Sequence, residues 1–141
     1  MGTRRAILFE NVDMSELKLV LEGQWYALIS AGIKREEYRE VTPFWMKRLL
    51  VWYDGAPLEE FYATDELFRE KMKFALDWLG KGSETEPIRY KHDAVTFYHG
   101  YSSKRPSMSW RIDSIQIGEG KPEWGAKPGK EYFVIKLGER L

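Results

Sequence analysis

The feature of this sequence that most restricts its fold is a stretch in the C-terminal half where apolar and polar residues alternate. The apolar members are Met108, Trp110, Ile112, Ile115 and Ile117. Successive side chains of a strand point to opposite faces, so this pattern predicts a strand with one buried face. The alternation changes phase at Asp113 and Ser114. Such a shift predicts a β-bulge, which bends a sheet and helps to close it into a barrel.

Other segments of the chain extend this prediction to a fold class. Strand patterns occur at residues 18–21, 35–41, 94–99 and 132–137, and helix patterns at 24–31, 44–50 and 65–79. Helices therefore dominate the first half of the chain and strands the second. The strands are short, and the chain has too few residues for two packed sheets. We expect an α+β, mainly β protein, a small β-pseudobarrel of about five to six strands with helices packed outside.

Local signals mark the ends of the predicted helices. Gly32 follows the first helix, where a residue in the left-handed conformation is favoured. Thr42 precedes Pro43, a combination that suits an N-cap and a first helical position. Either Thr64 or Asp65 can cap the third helix. Its apolar stripe consists of Phe68, Met72, Ala75, Leu76 and Leu79.

Composition narrows the classes of protein to consider. The length of 141 residues suits one domain, residues 1–141, with a single core. There is no cysteine, which excludes disulfides and thiolate sites. No other metal-ligand pattern is present, so neither a metal nor another cofactor is expected. The 22 basic and 22 acidic residues balance, and this argues against tight nonspecific binding to duplex nucleic acid.

The sequence also gives an expected location. The N-terminal apolar stretch, residues 6–9, is too short for a signal peptide. No run of apolar residues approaches the length of a membrane span. We therefore expect a cytoplasmic protein without membrane contact.

The most informative polar segment follows the first helix. Lys34 comes two residues after Gly32, and Glu37 and Arg39 then share one face of the predicted strand. Three charges of mixed sign would converge on a small area. The alternative is a solvated edge strand, because charged side chains commonly protect sheet edges from pairing.

Gly32, Lys34, Glu37 and Arg39 together reproduce the G-x-K-x-x-E-x-R motif of the ASCH family, directly after the first helix. The chain resembles that family over most of its length. The resemblance implies a PUA-like pseudobarrel with a cleft beside the first helix that binds RNA or a nucleotide. Carried over by position, Lys34 and Arg39 would hold a phosphate or base. Glu37 would orient them or accept a proton.

Some small relatives in that family are amidohydrolases that act on acetylated cytidine. In them the lysine of the motif acts with a threonine at the position of Glu37 and with a distant glutamate. A carboxylate cannot replace a hydroxyl nucleophile without changing the mechanism. The catalytic triad is therefore not transferred to this chain, and whether the protein is an enzyme stays open.

A second segment with potential chemistry spans residues 98–105. Its candidate ligand-binding residues are Tyr98, Tyr101, Ser102, Lys104 and Arg105. Aromatic rings and cations in one loop can stack a base and hold a phosphate. The alternative is an ordinary basic hairpin loop. His99 is the best candidate for a general base, with Lys34 and Glu37 as the other catalytic candidates.

The glycine- and lysine-rich segment at residues 118–130 looks like a phosphate-binding loop but lacks the spacing of one. Gly125 and Gly129 are one residue too close for a Walker motif, and Glu131 stands where the Ser or Thr should be. We expect an irregular connection between two strands.

Three functional hypotheses follow. The first is a module that binds RNA, a nucleotide or a modified nucleoside at the cleft. The second is a hydrolase that acts on a modified nucleoside or RNA there, which needs Ser102, Ser103 or His99 to face Lys34. The third is a protein-interaction domain, in which the three charges at 34, 37 and 39 pair only with each other.

Overall fold

The computed structural model describes residues 16–102 and 104–141. In this part the protein is α+β, with seven strands, three α-helices and two short 3-10 helices. The strands are β1 Leu17–Leu21, β2 Glu36–Glu40, β3 Leu50–Trp52, β4 Ile88–Tyr90, β5 Ala94–His99, β6 Ser107–Glu119 and β7 Glu131–Arg140. The helices are α1 Gly23–Ser30, α2 Pro43–Leu49 and α3 Glu66–Gly80, and the 3-10 helices are Glu60–Ala63 and Pro122–Trp124.

Five of the strands form one sheet in the order β1-β5-β6-β7-β2. The β1–β5 pair is parallel and the other pairs are antiparallel. This sheet curls into a half-barrel, which confirms the predicted fold class of a small β-pseudobarrel with helices. This strand order makes β2 an edge strand, so the segment that carries the three charges lies along one edge of the sheet.

Strands β3 and β4 form a separate antiparallel pair that the sequence did not predict. Each has only three residues, which is too short for a periodic pattern to show. Residue Leu50, expected at the end of a helix, instead begins β3 and is fully buried. The five-stranded sheet agrees with the five to six strands expected for the pseudobarrel, and β3 and β4 bring the number of described strands to seven.

The predicted bulge is present in β6. The register between β6 and β7 shifts between Trp110 and Ile112, and again between Ile112 and Ser114. The second shift spans the predicted position at Asp113. Because of the shifts, the residues before and after the bend bury their apolar side chains toward the same core.

The main core lies between the inner face of the sheet and the helices. On β7 the inner residues are Phe133, Ile135 and Leu137, and α3 contributes Met72, Ala75 and Leu76. The outer face of β7 carries Tyr132 and Val134, which are also buried. They form a second, smaller cluster with Ala126 and Tyr38, beneath the connection between β6 and β7.

The expected helix ends are also present. Gly32 has φ 76°, the left-handed conformation predicted after α1. The hydroxyl of Thr42 accepts a hydrogen bond from the Trp45 amide and caps α2. Asp65, rather than Thr64, caps α3 by accepting from the Phe68 amide. The Thr42 cap fixes the start of α2 at Pro43 and so places Trp45 in its first turn.

Candidate functional site

The register of β2 against β7 decides which way the charged side chains face. Glu37 is opposite Ile135 and Arg39 is opposite Phe133, and both partners lie on the inner, core-forming face. Glu37 is only 7% exposed and Lys34 only 1%. The alternative of a solvated edge strand therefore does not hold for Lys34 and Glu37, although β2 is at the sheet edge.

The three charged side chains form one connected cluster, called here the buried cluster of Lys34, Glu37 and Arg39. Lys34 Nζ donates to Glu37 Oε1 at 2.9 Å, and also to the backbone carbonyl of Glu36. Arg39 Nη2 donates to Glu37 Oε2 at 2.6 Å. The Glu37 carboxylate is thus paired with two cations, and the formal charges of the three side chains add up to one excess positive charge.

Aromatic rings surround the two cations. Lys34 Nζ is 4.9 Å from the centroid of the Tyr38 ring and 5.8 Å from that of Trp25. The guanidinium carbon of Arg39 is 4.8 Å from the centroid of Trp45. Ring faces attract cations, so these contacts partly replace the water that burial removes. The aromatic residues come from three elements, α1, β2 and α2.

Arg39 has unused hydrogen-bonding capacity. Its Nε is buried and has no hydrogen-bond partner among the described residues. Its side chain is nevertheless 19% exposed, in contrast to Lys34. Arg39 is therefore the cation of the cluster that solvent, or a ligand, can reach.

The connection between β6 and β7 packs against the same rings. The Lys121 amide donates to the Tyr38 hydroxyl at 2.9 Å, and that hydroxyl donates to Glu36 Oε1 at 2.8 Å. A Cβ on Gly125 would lie 3.0 Å from Trp25 Cζ2, so this backbone rests on the Trp25 ring. The connection thereby fixes the two rings nearest Lys34.

Burial and these contacts change the acidity of groups beside the site. Burial raises the pKa of the Tyr38 phenol well above its usual range, and the nearby Glu36 carboxylate adds to this, while the Lys121 amide opposes it. On the exposed side of the same strand, a hydrogen bond from Lys130 lowers the pKa of Glu40. Tyr38 therefore remains a neutral hydrogen-bond donor.

The segment at residues 98–105 forms its own contacts. Arg105 lies over the Tyr98 ring, with 4.2 Å between guanidinium carbon and ring centroid. His99 stacks on Tyr26 of α1, with 5.2 Å between the two ring centroids. Tyr101 is exposed, and the Ser102 hydroxyl accepts from the Lys104 amide. Ser103 lies outside the described residues.

The two predicted groups of site residues do not form a single cluster. Lys34 is contacted by Trp25 and by residues 36–38, and within the described ranges no hydrogen bond, ion pair or ring contact joins it to Ser102 or His99. Of the groups that the hydrolase hypothesis places near Lys34, these two therefore make no such contact with it. Gly32 lies at the end of α1, as expected. Its contribution is its left-handed backbone conformation, because glycine has no side chain.

The residues that the structure describes contain neither a metal-binding group nor a membrane-spanning helix. Among residues 16–102 and 104–141, no three or more histidine or carboxylate side chains are grouped so that they could hold a metal ion. In the same part of the chain, no helix has the length and apolar character needed to cross a membrane.

Comparisons with known proteins add no relative to this description. A scan against models of protein families, a search of curated proteins and a search of solved structures each find no match. The fold and the site together define a small α+β half-barrel with a buried cationic cluster at the sheet edge.

Sequence reasoning identified the charges but missed the rings around them. In a periodic pattern, Trp25, Tyr38 and Trp45 are indistinguishable from core aromatics. One signal was available: each lies within ten residues of Lys34 or Arg39, on an element adjacent to the motif. Their role depends on helix direction and on the β2–β7 register, which a single sequence does not fix.

Proposed function

We propose that the protein binds a nucleotide or single-stranded RNA at the buried cluster of Lys34, Glu37 and Arg39. The observation that carries the proposal is the excess positive charge of this cluster, combined with the unpartnered Nε of Arg39. A buried charge without a full complement of partners is costly. A phosphate at the exposed part of the Arg39 side chain would supply the missing negative charge.

Burial suggests that the cations have different roles. Lys34 is almost inaccessible and holds Glu37 through Oε1, so it acts as a positioning residue. Glu37 in turn holds Arg39 through Oε2. Arg39 retains exposed surface and is the residue that would contact the ligand. This assigns Lys34 an indirect role, where the motif alone suggested direct contact.

The surroundings of Arg39 favour a nucleotide over a simple anion. Trp45 stacks against its guanidinium and is half-buried, so one ring lies beside the proposed phosphate position. Bases stack on aromatic rings and on guanidinium planes, while phosphates accept from arginine. A ligand with both an aromatic base and a phosphate uses both features.

The two other hypotheses are less well supported. The hydrolase hypothesis needs a hydroxyl or an imidazole near Lys34 in addition to the Glu37 carboxylate. The described contacts of Lys34 offer only the ring of Tyr38, whose raised pKa keeps its phenol protonated. The interaction-domain hypothesis expects the three charges to pair with each other, and they do. It offers no reason for the excess charge or for the unpartnered Nε.

The test is a calorimetric and thermal-shift screen against nucleosides, nucleoside monophosphates and short single-stranded RNAs, with the wild type and Arg39→Ala. Removing Arg39 leaves Lys34 and Glu37 as a balanced pair, so the variant should fold. We expect phosphorylated ligands to bind more tightly than nucleosides, and Arg39→Ala to lose that advantage. Lys71→Ala, which removes an exposed cation from α3, is the matched control.

Two results would overturn the proposal. One is the absence of binding by any nucleotide or RNA to the folded wild type. The other is equal affinity of wild type and Arg39→Ala for the same phosphorylated ligand.

A further inference from the structure

An alternating series of cations and rings leads outward from the buried cluster along α2. Arg39 lies over Trp45, with 4.8 Å between guanidinium carbon and ring centroid. The Trp45 ring meets Phe44 edge to face, with centroids 5.0 Å apart. Arg48 then lies over Phe44, with its guanidinium carbon 4.1 Å from the ring centroid. We call Arg39, Trp45, Phe44 and Arg48 the α2 ladder.

Exposure increases along the ladder away from the core. Arg39 is mostly buried and Trp45 half-buried, whereas Phe44 is 55% exposed and Arg48 is exposed. On the other side of α2, Met46 and Leu49 are buried in the core. The helix is therefore already anchored by its apolar face, and the core does not need Phe44.

We infer that the α2 ladder takes consecutive nucleotides of a single strand, so that the ligand class is an oligonucleotide rather than a mononucleotide. This inference rests on the proposed function at Arg39. Successive bases of single strands stack on successive aromatic side chains, and arginines between them hold the phosphates. The ladder has two units of this kind, Arg39 with Trp45 and Arg48 with Phe44.

The chemistry of the ladder selects a single strand over other partners. In a duplex the bases are stacked on each other, so their faces are not free to meet Phe44 or Trp45. The chain as a whole is neutral, with 22 basic and 22 acidic residues, and offers no broad positive surface for a duplex backbone. Both ladder charges are positive, which matches a phosphodiester chain better than an apolar protein segment.

The experiment compares adenosine monophosphate, the dinucleotide pApA and a fluorescein-labelled oligoadenylate of about eight nucleotides. We expect affinity to rise from the mononucleotide to the dinucleotide. Phe44→Ala and Arg48→Ala should each weaken oligonucleotide binding by about tenfold and leave mononucleotide binding unchanged. The readouts are calorimetry for the short ligands and fluorescence anisotropy for the labelled strand.

The fold supplies a matched control for Phe44. Phe74 of α3 is 64% exposed and contacts a tryptophan, Trp78, which itself has a lysine, Lys81, over its ring. Phe74→Ala thus removes an exposed phenylalanine from a similar aromatic and cationic setting elsewhere. We expect it to bind every ligand as the wild type does, and a loss equal to that of Phe44→Ala would overturn the inference.

The outcomes separate this inference from the proposed function. Equal affinity for mononucleotide and dinucleotide, with no effect of Phe44→Ala or Arg48→Ala, overturns the ladder and leaves the Arg39 site standing. A labelled duplex of the same length is a further comparison. If it binds as tightly as the single strand, the inference about the α2 ladder is overturned. Failure of these three ligands, and of every other nucleotide and RNA in the screen, to bind the wild type overturns both.

Discussion

Glu37 holds the buried cluster together, because its two carboxylate oxygens accept from two different cations. Replacing it by glutamine would leave Lys34 and Arg39 close together without a counter-charge. Removing one partner of a buried ion pair typically costs about 3–5 kcal/mol. We expect Glu37→Gln to lower the free energy of unfolding by an amount in this range, measured by urea denaturation.

An exposed ion pair provides the control for this change. Glu60 accepts from Lys47 at 3.3 Å, and both side chains are well exposed. Surface pairs contribute at most about 1 kcal/mol. Glu60→Gln should therefore have little effect, and a similar small effect of Glu37→Gln would show that water reaches the cluster.

Tyr38 should make the stability of the protein sensitive to alkali. Its pKa is raised by burial, so above about pH 10 the unfolded chain releases this proton while the folded chain retains it. Stability is then lost as pH rises. The loss is smaller than the limit of about 1.4 kcal/mol per pH unit, because the ring is partly exposed.

The measurement is the free energy of unfolding of wild type and Tyr38→Phe from pH 8 to about pH 11. The variant also loses the hydrogen bonds to Glu36 and from Lys121, so it should be less stable near neutral pH. The difference between the two proteins should shrink as pH rises. A difference that stays constant would contradict the raised pKa.

At the scale of elements, the connection between β6 and β7 is held against β2 by very close packing. A Cβ on Gly120 would lie 2.6 Å from Tyr38 Cε1 and 2.7 Å from the Ala126 Cβ. Forcing an extra methyl group into packed surroundings typically costs about 1–3 kcal/mol. We expect Gly120→Ala to destabilise the protein by this amount, measured by thermal or urea denaturation.

Gly118 is the control for this prediction, because it belongs to the same strand end and a Cβ there would meet nothing within 4 Å. Gly118→Ala should leave stability nearly unchanged. If the two variants behave alike, the connection does not rest on Tyr38 as described.

The elements also show how far sequence reasoning reaches. The α3 stripe and the shifted alternation of β6 were predicted correctly, because both patterns are long enough to reveal their period. Strands β3 and β4 were missed, since three residues carry no period. The position of the Lys34 motif was predictable, but its burial was not. That burial comes from pairing with β7, about a hundred residues away in sequence.

At the scale of the whole molecule, the balanced net charge makes the salt dependence of binding informative. With no general positive field, only phosphates held by Arg39 and Arg48 should release counterions. Each phosphate contact on a single strand contributes a slope of about −0.7 to log affinity against log salt. We expect a slope of about −1.4 for oligoadenylate, measured by anisotropy over a salt series.

Arg48→Ala should reduce the size of this slope by half, while Lys71→Ala should not change it. A much steeper slope in the wild type would mean that other lysines or arginines contact the strand. That result would place the path of the nucleic acid beyond the α2 ladder.

The pairing of β2 with β7 has a consequence for the order of events during synthesis. During translation Lys34, Glu37 and Arg39 leave the ribosome early. The strand that carries the motif, however, pairs with β7, where Glu36 is opposite Lys136, so its partner is made about a hundred residues later. Until β7 has emerged, the three charges belong to a strand with nothing to bury them, and contacts so distant in sequence form slowly. A nascent chain that ends after α3 therefore has the whole motif but not the site. The buried cluster forms only when the sheet closes.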